Sequence, residues 1–303
     1  MRADSPHRRQ TVSGTQRGWR LPVASVGKRV PTQTLATRCD LLRHRLADGV
    51  ETTVYVVRYP RPQTSLSVEH FAVPQQLDRW CRRSGVREAI VGGFFVRPHG
   101  PPLGELWIGG YRIETQPVLD PYGGARAAIC VDEGEIHIGP RAELPPRPAG
   151  HLLQAGPMLV RDGGPLRDLH DPEGFVAGAH QFDSDITSGR HPRAALGTAD
   201  DELIALVCDG RRTGIDAGLT LAELAQFMAD LGASKAINLD GGGSTALIHH
   251  GHLLNRPYDA QDRPSSNSRA VATAAIFHTP STVRPQRSRV ATTHELTRAR
   301  GRR

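Results

Sequence analysis

The segment "INLDGGGSTALI" (237–248) sets one carboxylate, Asp240, between an apolar run and three consecutive glycines, Gly241, Gly242 and Gly243. Glycine in a strand setting loses the most conformational entropy and packs nothing. Three together mark a backbone that turns in a way closed to other residues, or that lies very close to a ligand. The preceding residues frame the turn. Thr220 and Glu223 have the T-x-x-E spacing of a capping box. Leu221, Leu224, Ala225, Met228 and Leu231 then recur at helical spacing until Gly232. These signals predict a helix over 221–231, a strand over 234–239, the glycine turn, and a strand over 245–250.

Upstream, "HRLADGVETTVYVVRYP" (44–60), "ELWIGGYRIE" (105–114) and "AAICVDEGEIHIG" (127–139) read as hairpins, and "ELIALVCDG" (202–210) as a strand. "PQQLDRWCRRSG" (74–85) reads as a helix with Pro74 at its start and Gly85 at its end. "EAIVGGFF" (88–95) is a buried strand running into Gly92 and Gly93. The helix–strand–glycine order of 77–93 matches that of 221–243, with Gly85 to Ala89-Ile90 spaced like Gly232 to Ala236-Ile237. Packing alone gives helix–strand units a common pattern, but a pseudo-repeat would turn both glycine segments toward one cleft. The expected fold class is α+β, with mixed, largely antiparallel sheets and a few helices.

The 303 residues carry a net charge of +7, and its location changes its meaning. Residues 1–38 are net +7 and residues 279–303 net +6, which leaves 39–278 at −6. The composition predicts disordered basic tails over 1–38 and 279–303 flanking one domain over 39–278. No basic stripe with interleaved aromatics runs through that domain, so nucleic acid is not an expected partner. Cys39, Cys81, Cys130 and Cys208 form no C-x-x-C pair and read as free thiols. No apolar stretch is long enough to span a membrane, and the basic N-terminus lacks the apolar core of a secretory signal. The expected location is cytoplasmic.

Several residues offer chemistry. A strand end opening into consecutive N–H groups can form an anion-binding nest, which makes Asn238, Asp240, Gly241, Gly242, Gly243, Ser244 and Thr245 candidates. The alternative is a tight hairpin turn with Asp240 capping its own backbone. The pattern is neither a Walker A loop, having no lysine, nor the G-x-S-x-G elbow of a serine hydrolase. In "SGRHPRAALG" (188–197), Pro192 stiffens the chain between His191 and Arg193, and a fixed arginine suits phosphate. Asp209 ends an apolar strand with Arg211 beyond the turn, and Arg269 precedes the last apolar strand. His249 and His250 invite a metal reading, yet strand neighbours point to opposite faces and no further ligand lies at metal spacing. No ligand cluster demands a metal, although Asn238 and Asp240 offer oxygens that suit a divalent cation.

Taken in order, "VGGFF" (91–95), "PLGELWIGG" (102–110), "AGPMLVRDGG" (155–164), "HPRAALG" (191–197), "DGR" (209–211), "GLTLAEL" (218–224), "AINLDGGGST" (236–245) and "NSRAV" (267–271) resemble the phosphodiester glycosidase family. The likeness covers roughly residues 88–278, and Val91 stands where the family usually has Asn. The resemblance implies hydrolysis of the bond between a sugar anomeric carbon and a phosphodiester phosphate, with no cofactor. It implies a small sugar-1-phosphodiester as substrate, with Asp240 as the catalytic carboxylate and His191 and Asp209 behind it. Arg193, Arg211 and Arg269 would hold the phosphate beside the turns at Gly92-Gly93 and Gly241–Thr245. A non-catalytic sugar-phosphate or nucleotide-sugar binder is the alternative that Val91 raises.

Overall fold

The computed structural model describes residues 36–96, 100–166, 171–182, 186–257, 263 and 268–280, and the backbone of 289–292. Strands β1 (Arg38–Arg45), β2 (Glu51–Pro60) and β3 (Ser65–Gln76) lead into helix α1 (Leu77–Ser84) and strand β4 (Ala89–Val91). Next come β5 (Leu106–Ile108), β6 (Tyr111–Ile113), β7 (Ala127–Asp132), β8 (Glu135–Pro140), β9 (His151–Gln154), β10 (Met158–Arg161) and β11 (Gly164–Pro165). A short helix, α2 (Ala179–Phe182), precedes β12 (Arg193–Thr198), β13 (Glu202–Cys208), helix α3 (Leu221–Asp230) and β14 (Lys235–Asn238). The last described strands are β15 (Leu247–His249), β16 (His252–Leu253), β17 (Ala270–His278) and β18 (Arg289–Thr292).

These strands build three sheets. The largest has the order β11-β10-β14-β12-β13-β2-β1-β18; the others run β16-β15-β4-β17-β3 and β6-β5-β9-β7-β8. Every named pair is antiparallel except β1 with β18. The α+β, largely antiparallel expectation describes this architecture. Inward-facing residues of all three sheets, among them Val57, Ile90, Ile129, Leu196, Leu247 and Ala275, share one core. A second core lies where Leu224, Ala225 and Met228 of α3 meet Val160, Ala195 and Leu206 of the largest sheet. The α3 boundary carries the capping box read from its sequence, with Thr220 and Glu223 each accepting from the other's backbone.

The helix expected over 74–85 is shorter. β3 continues to Gln76 and α1 starts at Leu77, so Pro74 belongs to the strand. The β3–β17 register slips between Val271 and Thr273, so the residues between His70 and Gln75, Pro74 included, have no ladder partner. A proline there forfeits no ladder bond. At the other end, β18 lies within the stretch whose composition reads as a tail. The remainder of that stretch beyond 280, and residues 1–35 of the N-terminal one, fall outside the described residues. No helix among the described residues is long and apolar enough to cross a membrane.

Candidate active site

The antiparallel registers bring three loops together at one end of the adjacent strands β14, β12 and β13 of the largest sheet. Arg193 at the start of β12 pairs with Cys208 at the end of β13, and Ala195 pairs with Asn238 at the end of β14. The chain leaving β13 therefore carries Asp209 to Arg211, and the chain leaving β14 carries Asp240 to Thr245, past the His191–Arg193 entry. From the neighbouring sheet, the end of β4 joins them. The Asp240 N–H donates to the Gly92 carbonyl at 3.0 Å, and the Gly93 N–H donates to Thr273 Oγ1 at 3.0 Å. Arg269, just before β17, is fixed by its own N–H donating to the Gly243 carbonyl at 3.0 Å. Its neighbour Ser268 donates to Asp78 of α1. The two glycine turns of similar sequence thus meet.

Asp240, Gly241, Gly242, Gly243, Arg211 and Arg269 line one narrow pocket of about 10 Å³, walled by Phe94, Phe95, Phe182 and Ile186. Arg211 also lines a wider recess of about 660 Å³ with His191, Arg190, Arg212 and Gly49 to Glu51. Arg211 has a left-handed backbone, φ 61°. A non-glycine residue held there is strained, a condition that clusters at functional sites.

The glycines are explained by what lies against them. A Cβ on Gly243 would sit 2.8 Å from an Arg269 guanidinium nitrogen, and one on Gly242 3.3 Å from Arg211. A Cβ on Gly241 would meet the Pro192 carbonyl at 2.9 Å, and Gly242 has φ +59°. The glycines let two guanidinium groups lie on the backbone beside Asp240. The nest reading needs correction. The N–H groups of Gly241, Gly242, Ser244 and Thr245 already donate to Asp240 Oδ1, Pro192 O, Gly241 O and Gly242 O. The turn is a seat for arginines more than a cradle of open N–H donors. Asn238 Oδ1, Ser244 Oγ and Thr245 Oγ1 are buried here without a hydrogen-bond partner.

Arg193 departs from its expected role. It is completely buried, and its Nε, Nη1 and Nη2 donate to the carbonyls of Leu219, Ile186 and Gly189 at 2.9, 2.6 and 2.9 Å. Facing three carbonyls, the guanidinium ties the 186–189 loop to the entry of α3; it does not line the pocket. The spacing H-P-R places an arginine at the site's edge but leaves its direction open. His191 borders the wider recess, with Nε2 2.8 Å from the Ser188 carbonyl oxygen. Asp209, two residues before Arg211, does not line the pocket; it is 1% exposed, with its carboxylate accepting from Tyr55 Oη at 3.1 Å and from the Arg256 N–H at 2.7 Å. Burial pushes its carboxyl up to about 6. Val91 is wholly buried in β4 opposite Ala274, a member of the shared core.

Sequence reasoning gave no role to Phe94 and Phe95 beyond their place in "VGGFF", and did not single out Phe182 or Ile186. Phe94 packs at a tilt against Phe182 and Phe175, at centroid distances of 4.8 and 5.4 Å. Apolar side chains in a glycine- and aspartate-rich loop were the available signal. Behind the rings, the Arg126 guanidinium lies 5.1 Å from Phe175 and 5.5 Å from Phe94. Burial lowers its pKa to about 10.

The histidine reading also changes. β15 ends at His249, and His250 turns with φ 53°, so the rings do not take opposite faces. Their centroids are 3.9 Å apart and both face Glu88.

Residues 84–278 match a sequence model described as phosphodiester glycosidase. The chain is 28% identical over 245 residues to bovine N-acetylglucosamine-1-phosphodiester alpha-N-acetylglucosaminidase, covering 75% of this chain and 45% of the bovine protein. Against the human protein of the same name it is 34% identical over 214 residues, covering 67% of this chain and 40% of the human one. It therefore spans less than half the length of these relatives. The fold is shared with the zebrafish catalytic domain of that name, solved as auto-inhibited by its pro-peptide, at a TM-score of 0.62 and 20% identity over 84% of this chain and 86% of that one.

Proposed function

This chain belongs to the phosphodiester glycosidase family, and from that premise we propose that it hydrolyses the sugar–phosphate bond of a sugar-1-phosphodiester. The observation that carries the reading is the convergence of Asp240, Arg211 and Arg269 on one aromatic-walled pocket. The relatives' name supplies the bond type, between a sugar and a phosphodiester.

The chemistry of the leaving group fits the side chains present. Cleavage at the anomeric carbon releases a phosphate monoester, whose second pKa is about 6. Such a group departs as an anion with little need of a proton, so a strong general acid matters less than in ordinary glycosidases. Two guanidinium groups, seated against Gly242 and Gly243, offer planar donors for the phosphate oxygens. Asp240 stands beside them. There it serves either to accept a proton from the attacking water or to stabilise the positive charge that develops at the anomeric centre. Arg211 lines both spaces, so a phosphate held by it leaves the wider recess for the rest of the substrate.

The test is release of free sugar and phosphate monoester from a panel of sugar-1-phosphodiesters, glucose and N-acetylglucosamine among them, by wild type and Asp240→Asn. Turnover that falls at least about 100-fold in the variant supports the reading and places the carboxylate. Turnover unchanged in Asp240→Asn moves the catalytic carboxylate to Asp209. Tight binding of the panel with no turnover by wild type replaces the hydrolase with a binding protein.

A further inference from the structure

At the opposite end of β4 from the pocket, three ligand-type side chains converge. Glu88, which precedes β4, places Oε2 2.8 Å from His249 Nδ1 and Oε1 3.3 Å from His250 Nδ1. The three ligand atoms all lie within 4.8 Å of one another. We propose that Glu88, His249 and His250 form a binding site for one divalent transition-metal ion of the zinc class, separate from the catalytic pocket.

The donor set and its spacing carry the argument. Two imidazole nitrogens and a carboxylate oxygen suit zinc, cobalt and nickel better than calcium or magnesium, which prefer all-oxygen sites. Bonds of about 2.0 Å to a tetrahedral ion put neighbouring ligand atoms about 3.3 Å apart. The His250 Nδ1–Oε1 separation of 3.3 Å equals that value, and the His249 Nδ1–Oε2 separation of 2.8 Å is about 0.5 Å shorter, as its hydrogen bond requires. An imidazole nitrogen 2.8 Å from a carboxylate oxygen needs positive charge between them, and a proton supplies it in the hydrogen-bonded state. A metal ion supplies the same charge once the rings carry their protons on Nε2.

The backbone is built to make this convergence. Successive strand residues point to opposite faces, and His249 followed by an extended His250 would have separated the rings. Instead His250 takes φ 53° and Gly251 φ 82°, and the Gly251 N–H donates to the Arg87 carbonyl. Positive φ is uncommon for a residue with a side chain, and histidine is one of the few that enter it readily, so the turn brings the second ring round to Glu88 at small cost. The carboxylate is also oriented from behind. Tyr59 Oη donates to Glu88 Oε2 at 2.9 Å, and the His250 N–H donates to Oε1 at 2.9 Å. Partners of that kind, on the far side of a ligating carboxylate, are a regular part of metal sites. Glu88 and His249 are buried while the His250 side chain is about 42% exposed, so the site has an open side for entry and for a water ligand. A metal held here would pin β4 to β15, the strands that lead to Gly92 and away from Thr245.

The chain, stripped with EDTA, would be titrated with Co²⁺ while the visible absorption is followed, and with Zn²⁺ by calorimetry. The expected result is one ion per chain with micromolar or tighter affinity and a Zn²⁺-dependent rise in Tm. His250→Ala, at a half-exposed position, should weaken binding at least tenfold while melting like metal-free wild type. Glu88→Gln, if it folds, should do the same. With 14 histidines in the chain, binding that survives His250→Ala assigns the ion elsewhere and overturns the proposal. Absence of saturable binding by wild type overturns it equally, leaving a hydrogen-bonded cluster only.

Discussion

The Asp240 N–H donates to the Gly92 carbonyl at 3.0 Å, so the candidate catalytic carboxylate is anchored on a different sheet from the strand that delivers it. β14 brings Asp240 from the largest sheet, and β4 brings Gly92 from its neighbour. The bond fixes the distance between the two glycine turns, and every residue of the pocket is placed relative to it.

Gly92→Ala should therefore damage both stability and activity. A Cβ there would lie 2.4 Å from Thr273 Oγ1 and 2.8 Å from the Thr273 backbone carbonyl carbon, a contact that no side-chain rotation relieves. Overpacking of this kind costs about 1–3 kcal/mol. A free energy of unfolding in urea lowered by that amount, with turnover reduced, is the expected outcome. Gly85→Ala makes a useful contrast. Its Cβ meets nothing within 4 Å, so only its left-handed φ of 75° opposes the change, and turnover should stay near wild type.

The arginines divide into two kinds, and variants should separate them. Arg269→Lys keeps a charge but loses the planar fork, so kcat/KM should fall about tenfold or more with Tm little changed. Arg193→Met strands the carbonyls of Ile186, Gly189 and Leu219 in a buried site. At about 1–3 kcal/mol for each carbonyl left without a donor, the loss of stability should reach several kcal/mol. A melt and a saturation curve on each protein distinguish the cases; an Arg193 variant of normal Tm and raised KM would return that residue to the phosphate.

What the sequence discloses about this fold and site follows the range of the signals. Local ones hold: the T-x-x-E box of α3, the hairpins at Gly109-Gly110 and Glu133-Gly134, and the glycine turn after Asp240 each depend on neighbours a few residues apart. Ordered motifs carry the fold as well. Side-chain direction does not emerge, because it is set by how loops fold back in three dimensions. Arg193 is turned inward by the carbonyl of Leu219 and by those of Ile186 and Gly189 in the loop before it, and His250 is turned toward Glu88, 162 residues away. Pro74 reads as a helix start for the same reason, since the irregularity in β3 that accommodates it shows only in the pairing with β17.

The thiols should be inert in the native protein. All four cysteines are free; burial raises Cys39 and Cys130 to about 11 and Cys81 and Cys208 to about 12. Alkylation proceeds through the thiolate. At pH 8, iodoacetamide should label the folded chain far more slowly than the chain in guanidinium, where all four should react. Half-buried Cys39 should be the first to go. Rapid native labelling of Cys81, Cys130 or Cys208 would mean that the core opens locally.

Asp209 makes the sharpest pH prediction. Burial raises its pKa from 3.8 in the unfolded chain to about 6 in the fold, against the usual direction for a carboxylate. Between those values the native state holds a proton that the unfolded chain has released. This group's contribution is therefore fully favourable below about pH 4 and declines as pH rises to about 6, above which it is constant. The full change is about 3 kcal/mol for a shift of about two units. Asp209→Asn removes the ionisation while leaving an oxygen to accept from the Arg256 N–H. Other carboxylates contribute the same background to both proteins, so the difference in urea midpoints isolates this one. Relative to wild type, the variant should gain stability between pH 4.5 and pH 7. If the two proteins keep a constant difference across that range, the Asp209 carboxyl titrates as an ordinary one. A rate profile with an inflection near pH 6 that disappears in Asp209→Asn would further connect this carboxyl, two residues from the pocket-lining Arg211, to turnover.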